Sequence, residues 1–268
     1  MQSALVCLDT ETATLSGPPH LLELGAVRVV EGEVVEHFSE LVLPAVPIDP
    51  DATRIHGIDE RDVREARPAT EVLARFTEWL GDDWLAAHNA SFDARVLAFE
   101  YARAGLDAPP QPWIDTLRLA RRTIPESPDH KLETLAEHLG LEEHEHHRAL
   151  PDAVWCWKVL EACAERLGGE LSPAALLARC GGVPVTLAGA APRPGRALKP
   201  RLRDLERACH ERRRVRLLYG AAGAAPAPLE VVPWLLFGQS DRGYLEAECC
   251  ASGTLKTYRL DRIQRLLP

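Results

Sequence analysis

Three strand-like segments fill residues 4–43 before any helical pattern begins, and this order constrains the fold more than any other feature of the chain. ALVCLDT (4–10) is short and apolar and ends in a polar cluster, as a buried strand does. HLLELGAVRVV and EVVEHFSELVL flank Glu31-Gly32, and so short a Gly-containing joint predicts a hairpin. Strands that pair locally and are then followed by helices predict a mixed α/β sheet flanked by helices, not an alternating doubly wound fold. Helical spacing follows over 59–66 and over 70–80, where Leu73, Phe76, Trp79 and Leu80 share a face. WLAAH (84–88) is a further short strand. The next helix takes Ser91 as its N-cap and Gly105 as its stop, and two more cover 130–140 and 149–168.

The pattern breaks at 181–200, where 20 residues hold 4 Gly and 4 Pro. This reads as a linker, dividing the chain into domains at 1–180 and 200–268 with 181–199 between them. Beyond it lie one helix (200–213) and about 55 residues of β-rich sequence, enough for a compact barrel or curled sheet. Charge is segregated along the same lines. Residues 1–192 carry 16 basic and 32 acidic side chains, whereas 193–216 carry 10 basic and 3 acidic. An acidic body suits cations. The basic strip suits polyanions, or is simply a solvated linker and helix.

Composition excludes several classes. No apolar run approaches the ~20 residues of a membrane helix. The start MQSALVCLDTET has no basic n-region and does not read as a secretory signal. Seven cysteines without a CxxC pair argue against a disulfide framework or thiolate zinc site, and the expected location is cytoplasmic.

Asp9 and Glu11 stand at i and i+2 on an extended segment, so both carboxylates share a face. Such a pair closing an apolar strand is costly unless a cation meets it. Asp93 and Asp152 each fall near a helix start, and His147 lies five residues before Asp152. Singly, each Asp is explained by capping or by the helix dipole. The run HEHH (144–147) is a surface tract or an adventitious transition-metal site.

Jointly, these positions resemble the DEDDh family of 3′–5′ exonucleases, which includes the proofreading subunits of DNA polymerase III. Asp9-Thr10-Glu11-Thr12 matches the first motif, His88-Asn89-Ala90-Ser91-Phe92-Asp93 the second, and His147 with Asp152 the third. LELGAV (22–27) and Ile55-His56-Gly57-Ile58 are similar to two further family segments, and the likeness spans roughly 4–166. Ala13-Thr14 departs from the family's frequent Thr-Gly. The resemblance implies a ribonuclease H-like exonuclease fold with a five-stranded type of sheet. It implies two Mg²⁺, replaceable by Mn²⁺, on Asp9, Glu11, Asp93 and Asp152, with His147 as general base. It implies substrate contacts from Thr12, Ile55, His56, His88, Asn89 and Phe92, with Phe92 fitting the core equally well. The implied substrate is a single-stranded or frayed 3′ end, DNA ahead of RNA, releasing nucleoside monophosphates in a setting such as DNA repair. A regulatory protein with a weak nuclease core is the alternative of a different class.

VRLLY (215–219), LEVVPWLLF, GYLEA and TYRLDRIQRL are similar to the WYL domain, whose Trp-Tyr-Leu reads Gly243-Tyr244-Leu245 here. That likeness implies a nucleic acid or nucleotide ligand met by Tyr219, Tyr244, Arg259 and Arg262. Oligomeric state and any polymerase partner are not legible in the sequence.

Overall fold

A computed structural model describes residues 4–141, 147–169, 172–195, 197–220 and 225–267. The chain forms two compact units, Met1–Ala190 and Ala191–Pro268.

In the first unit the strands are β1 (Leu5–Thr12), β2 (Leu21–Val30), β3 (Glu33–Leu43), β4 (Arg67–Pro68), β5 (Trp84–Ala87) and β6 (Trp113–Asp115). They form one sheet in the order β4-β3-β2-β1-β5-β6, with β1–β2–β3 antiparallel and β5 parallel to β1. The two-residue β4 and three-residue β6 lie at its edges. The helices are α1 (Pro50–His56), α2 (Ala69–Leu80), α3 (Ser91–Ala104), α4 (Thr116–Thr123), α5 (Leu132–His138), α6 (Ala149–Arg166), α7 (Pro173–Cys180) and the single turn α8 (Leu187–Ala190). Two clusters of buried side chains pack with them. One joins Val6, Leu8 and Leu24 to α2 and α3 through Leu73, Phe76 and Leu97. The other joins Cys7, Val27 and Val29 to α4 and α6 through Leu119, Cys156 and Leu160. Alternate residues of β1 thus face different cores, as period-2 geometry requires. Among the described residues no helix is long and apolar enough to cross a membrane.

Three local expectations change. Residues 59–66 form turns rather than a helix, with the Asp59 carboxylate accepting the Arg61 N–H and the Asp62 carboxylate the Asp59 N–H. The helix lies instead at α1, where Asp49 caps it and Pro50 opens it. Ser91 is the first residue of α3, not its cap, and its hydroxyl donates to Asn89 Oδ1 at 3.3 Å. The Gly/Pro-rich stretch is not linker throughout. Val185 bridges Trp113, and Leu187 of α8 is buried in the core of the first unit.

The second unit holds α9 (Asp204–His210) and β7 (Val215–Tyr219), β8 (Ala227–Gln239), β9 (Arg242–Cys249), β10 (Thr254–Arg259) and β11 (Ile263–Leu267). The sheet order is β10-β9-β8-β7-β11. A 3-10 turn of three residues, Leu260–Arg262, carries the chain from one edge strand to the other. So short a crossing requires a strongly curled sheet, yet the ladder is not closed into a barrel. Gly238 and Gly243 face each other on β8 and β9, and Gly195 lies against Gly238. A Cβ at Gly243 would stand 2.8 Å from Leu260 and 3.2 Å from the Pro194 carbonyl. A side chain there would crowd Leu260 and the Pro194 carbonyl, at the position where the WYL triplet has its tryptophan.

Candidate active site

The site is assembled on β1. Asp9 and Glu11 share its face, and the antiparallel register sets Gly25 opposite Asp9 and Glu23 opposite Glu11. Gly25 is where α6 touches the sheet. A Cβ there would fall 2.2 Å from Ala149 C and from Leu150 N. The missing side chain lets the first turn of α6, with Asp152, descend onto β1 and β2. Glu11, His147 and Asp152 then offer ligand atoms that all lie within 4.8 Å of one another. From the other side, α3 delivers Asp93 in its first turn, where the Thr10 hydroxyl donates to Asp93 Oδ1 at 2.7 Å. Asp93 and Asp152 are 1% and 8% exposed. The structure therefore brings together all five residues that sequence reading assigned to catalysis.

Three of these clustered carboxylates, Asp9, Glu11 and Asp93, hold protons tightly. Burial, then the charges of Asp93, Glu11 and Asp152, raises Asp9 well above the usual carboxylate range. Burial, then Asp152, Glu23 and Asp93, pushes Glu11 up to about 8, with Arg148 opposing. Burial also pushes Asp93 up to about 7 against the hydrogen bond from Thr10. Clustered hard oxygen donors with one imidazole beside them fit divalent cations such as Mg²⁺ or Mn²⁺. A measurable linkage follows. Each raised carboxyl contributes stability that is complete below its unfolded pKa, near 4, and is lost as pH rises through its folded value of about 7 to 8. Melting temperatures in EDTA are expected to fall between about pH 4 and 8, and saturating Mg²⁺ or Mn²⁺ to restore most at pH 8. A metal response independent of pH would contradict this electrostatic account.

His147 is exposed and adopts φ 56°, the left-handed region that non-glycine residues rarely enter. A bracket just after it fixes that geometry. Glu23, 3% exposed, accepts from Arg148 Nη2 at 2.7 Å, from Arg148 Nε at 3.1 and 3.2 Å, and from the Ala149 N–H at 2.9 Å. The Arg148 carbonyl then accepts the Asp152 N–H at 3.1 Å. Glu23 thus ties β2 to the short segment carrying both His147 and Asp152. Sequence reading passed over Glu23, although a lone acid inside the apolar run LLELGAV was a usable signal.

The expected substrate residues divide. Ile55 and Phe92 are 45% and 46% exposed, so Phe92 is not a core residue. Asn89 is exposed at φ 62°. Thr12 is buried, and its hydroxyl donates to the Thr14 carbonyl at 3.1 Å. His56 is buried too, its Nδ1 accepting from the Ile58 N–H at 3.0 Å, and burial lowers its pKa. His88 is committed to the fold: Nδ1 bonds Thr116 Oγ1 and Nε2 bonds the His130 carbonyl, both at 2.8 Å. Of the HEHH run, His144 and His146 lie outside the described residues.

In the second unit Tyr219 meets Tyr258 edge-on at 5.4 Å, and its hydroxyl accepts from the Arg259 N–H at 3.4 Å. Tyr244 stacks on Phe237 at 5.2 Å and stands opposite Arg259 across the ladder. Arg259 pairs with Asp261, and the Arg262 carbonyl accepts the Gly220 N–H. The first three therefore lie together, each already contacting a neighbour in its own unit.

A mixed sheet whose first strand carries two acids, met by two more from helices and by an imidazole, suits metal-assisted phosphodiester hydrolysis. Residues 6–160 match the family model described as Exonuclease (RNase_T), and 200–268 match the WYL domain. The solved structure of exonuclease X in complex with 5′ overhanging duplex DNA is 31% identical with a TM-score of 0.54, over 66% of this chain and 99% of that one. The nuclease domain of 3′hExo, a DEDDh family member bound to rAMP, shares the fold at 19% identity with a TM-score of 0.55, over 63% of this chain and 95% of that one. The PolC-type DNA polymerase III of Bacillus cereus is 38% identical over 152 residues, which are 56% of this chain and 11% of the polymerase. The chain thus spans about a tenth of the length of the polymerases it matches. The chain belongs to the exonuclease family, as a DEDDh 3′–5′ exonuclease with a C-terminal WYL domain.

Proposed function

We propose that the chain removes nucleoside monophosphates from single-stranded or frayed 3′ ends of DNA, through Asp9, Glu11, Asp93, His147 and Asp152. The observation that carries this reading is the meeting of Glu11, His147 and Asp152 within 4.8 Å, beside Asp9 and Asp93. Asp9, Glu11, Asp93 and Asp152 would hold two Mg²⁺, which when bound supply charge stabilisation for the attacking and leaving oxygens. His147 stands at the exposed lip, where its ring takes the proton of the attacking water and passes it to solvent. Glu23 and Arg148 keep that ring in place. Thr12, Ile55, His56, Asn89 and Phe92 border the terminal nucleotide, and the exposed apolar faces of Ile55 and Phe92 tolerate any base.

DNA is favoured because exonuclease X, bound to a DNA overhang, is 31% identical and the PolC-type polymerases are DNA enzymes. Those polymerases also suggest a polymerase or repair setting. A cytoplasmic location fits its seven free thiols. We read 1–180 and 200–268 as the working domains, the second gripping the strand or a nucleotide through Tyr219, Tyr244, Arg259 and Arg262. Matched 5′-labelled DNA and RNA oligonucleotides are expected to shorten progressively from the 3′ end only with Mg²⁺ or Mn²⁺, DNA faster. Faster shortening of RNA would make the chain a 3′-trimming ribonuclease. No shortening of either would leave a regulatory protein.

A further inference from the structure

The nuclease chemistry uses none of the basic strip at 193–216, and the fold gathers part of that strip into one place. Arg213, Arg214 and Arg216 line an open cleft of about 290 Å³ together with Asp204, Glu230 and Leu267. The cleft lies where β7 begins between β8 and β11. Arg216 stands opposite Leu267, and Arg265 stands opposite Leu218. Arg216 and Arg265 therefore project from the same sheet face as diagonal neighbours, about 7–8 Å apart. All four arginines are exposed.

Arg213 pairs with Glu211 at 3.3 Å and Arg214 with Glu230 at 3.7 Å. Pairs this exposed contribute little, about 0–1 kcal/mol, so a phosphate can replace the carboxylate at small cost. Guanidinium forks suit phosphate oxygens better than any other side chain. The volume is just under the ~300 Å³ of the smallest ligand pockets, which fits a phosphate with its sugar rather than a stacked dinucleotide. The residues of 1–192, with twice as many acidic as basic side chains, offer a polyanion no general attraction.

We propose that Arg213, Arg214, Arg216 and Arg265 form a binding site for the phosphate backbone of a nucleic-acid strand. The proposal rests on the exonuclease reading above, so its test needs a readout independent of cleavage. In the full chain, Arg214→Glu/Arg216→Glu is compared with Arg214→Gln/Arg216→Gln and Arg214→Lys/Arg216→Lys. Binding of a labelled 30-nucleotide single strand is followed in EDTA across a salt series. The Glu and Gln variants are expected to bind at least ~10-fold more weakly, and their log–log salt slope to flatten by about 1 to 1.5 for two lost phosphate contacts. The Lys variant keeps most of the affinity. With metal, KM for the 30-mer rises while kcat, and both constants for a trinucleotide, stay unchanged. Unaltered affinity and slope in the folded Gln variant overturn the site, even if cleavage proceeds normally. So does a nucleoside monophosphate that occupies the cleft, seen as arginine NMR shifts, while the 30-mer does not.

Discussion

Gly25→Ala is expected to abolish exonuclease activity and to cost at least about 3 kcal/mol of stability, a large effect for one methyl group. Gly25 lies in ordinary extended backbone, so conformational freedom is not the issue. The cause is contact. The new Cβ would meet two main-chain atoms of α6 at 2.2 Å, and main chain cannot rotate aside as a side chain can. Either β2 bulges or α6 lifts by more than an ångström. Both movements fall on the site, because Asp9 is the register partner of Gly25 and Asp152 is in the first turn of α6. A displacement of about 1 Å near reacting groups costs on the order of 100-fold in rate. Urea unfolding and oligonucleotide shortening on the same preparation measure both quantities. Wild-type melting together with wild-type turnover would show that α6 does not rest on Gly25.

This coupling explains what could be read from sequence and what could not. Asp9, Glu11, Asp93 and Asp152 were legible because each stands where a charge needs a reason, at the end of an apolar strand or in the first turn of a helix. Their convergence was implied only by the family resemblance, and local patterning did not show that it depends on α6 lying within contact of β2. That closeness is written in a single glycine, which inside a strand looks only like a weak position. His88 shows a tie that the sequence does not announce. Motif order suggests a pocket residue, but its two nitrogens close a bond network to Thr116 and His130 that no local pattern announces. Residues 59–66 have helical spacing, yet they form turns. The basic strip was visible as composition. Only the register of β7 with β8 and β11 shows which arginines share a face.

Glu23→Ala is expected to lower kcat by about 10- to 100-fold with little change in KM. Its oxygens are taken by the Arg148 guanidinium and the Ala149 N–H, so it acts as a positioning residue. Truncation leaves the Ala149 donor without its partner and frees the link between His147 and α6. Arg148 is 36% exposed and can return to water, so the stability loss is about 1–3 kcal/mol rather than that of a fully buried pair. Freed of the bracket, His147 loses the support for its left-handed backbone, and the imidazole spends less time where it can take a proton. Glu23→Gln keeps an acceptor for Ala149 but not the charge for Arg148, and is expected to fall between the wild type and Glu23→Ala in kcat. A double-mutant cycle with Arg148→Gln should return a coupling of about 1–2 kcal/mol in kcat, because the two residues hold the same segment. A purely structural role predicts something different: lower stability with unchanged kcat at temperatures where the variant is folded. That outcome would remove Glu23 from the account of catalysis and leave it as a strand-to-helix tie.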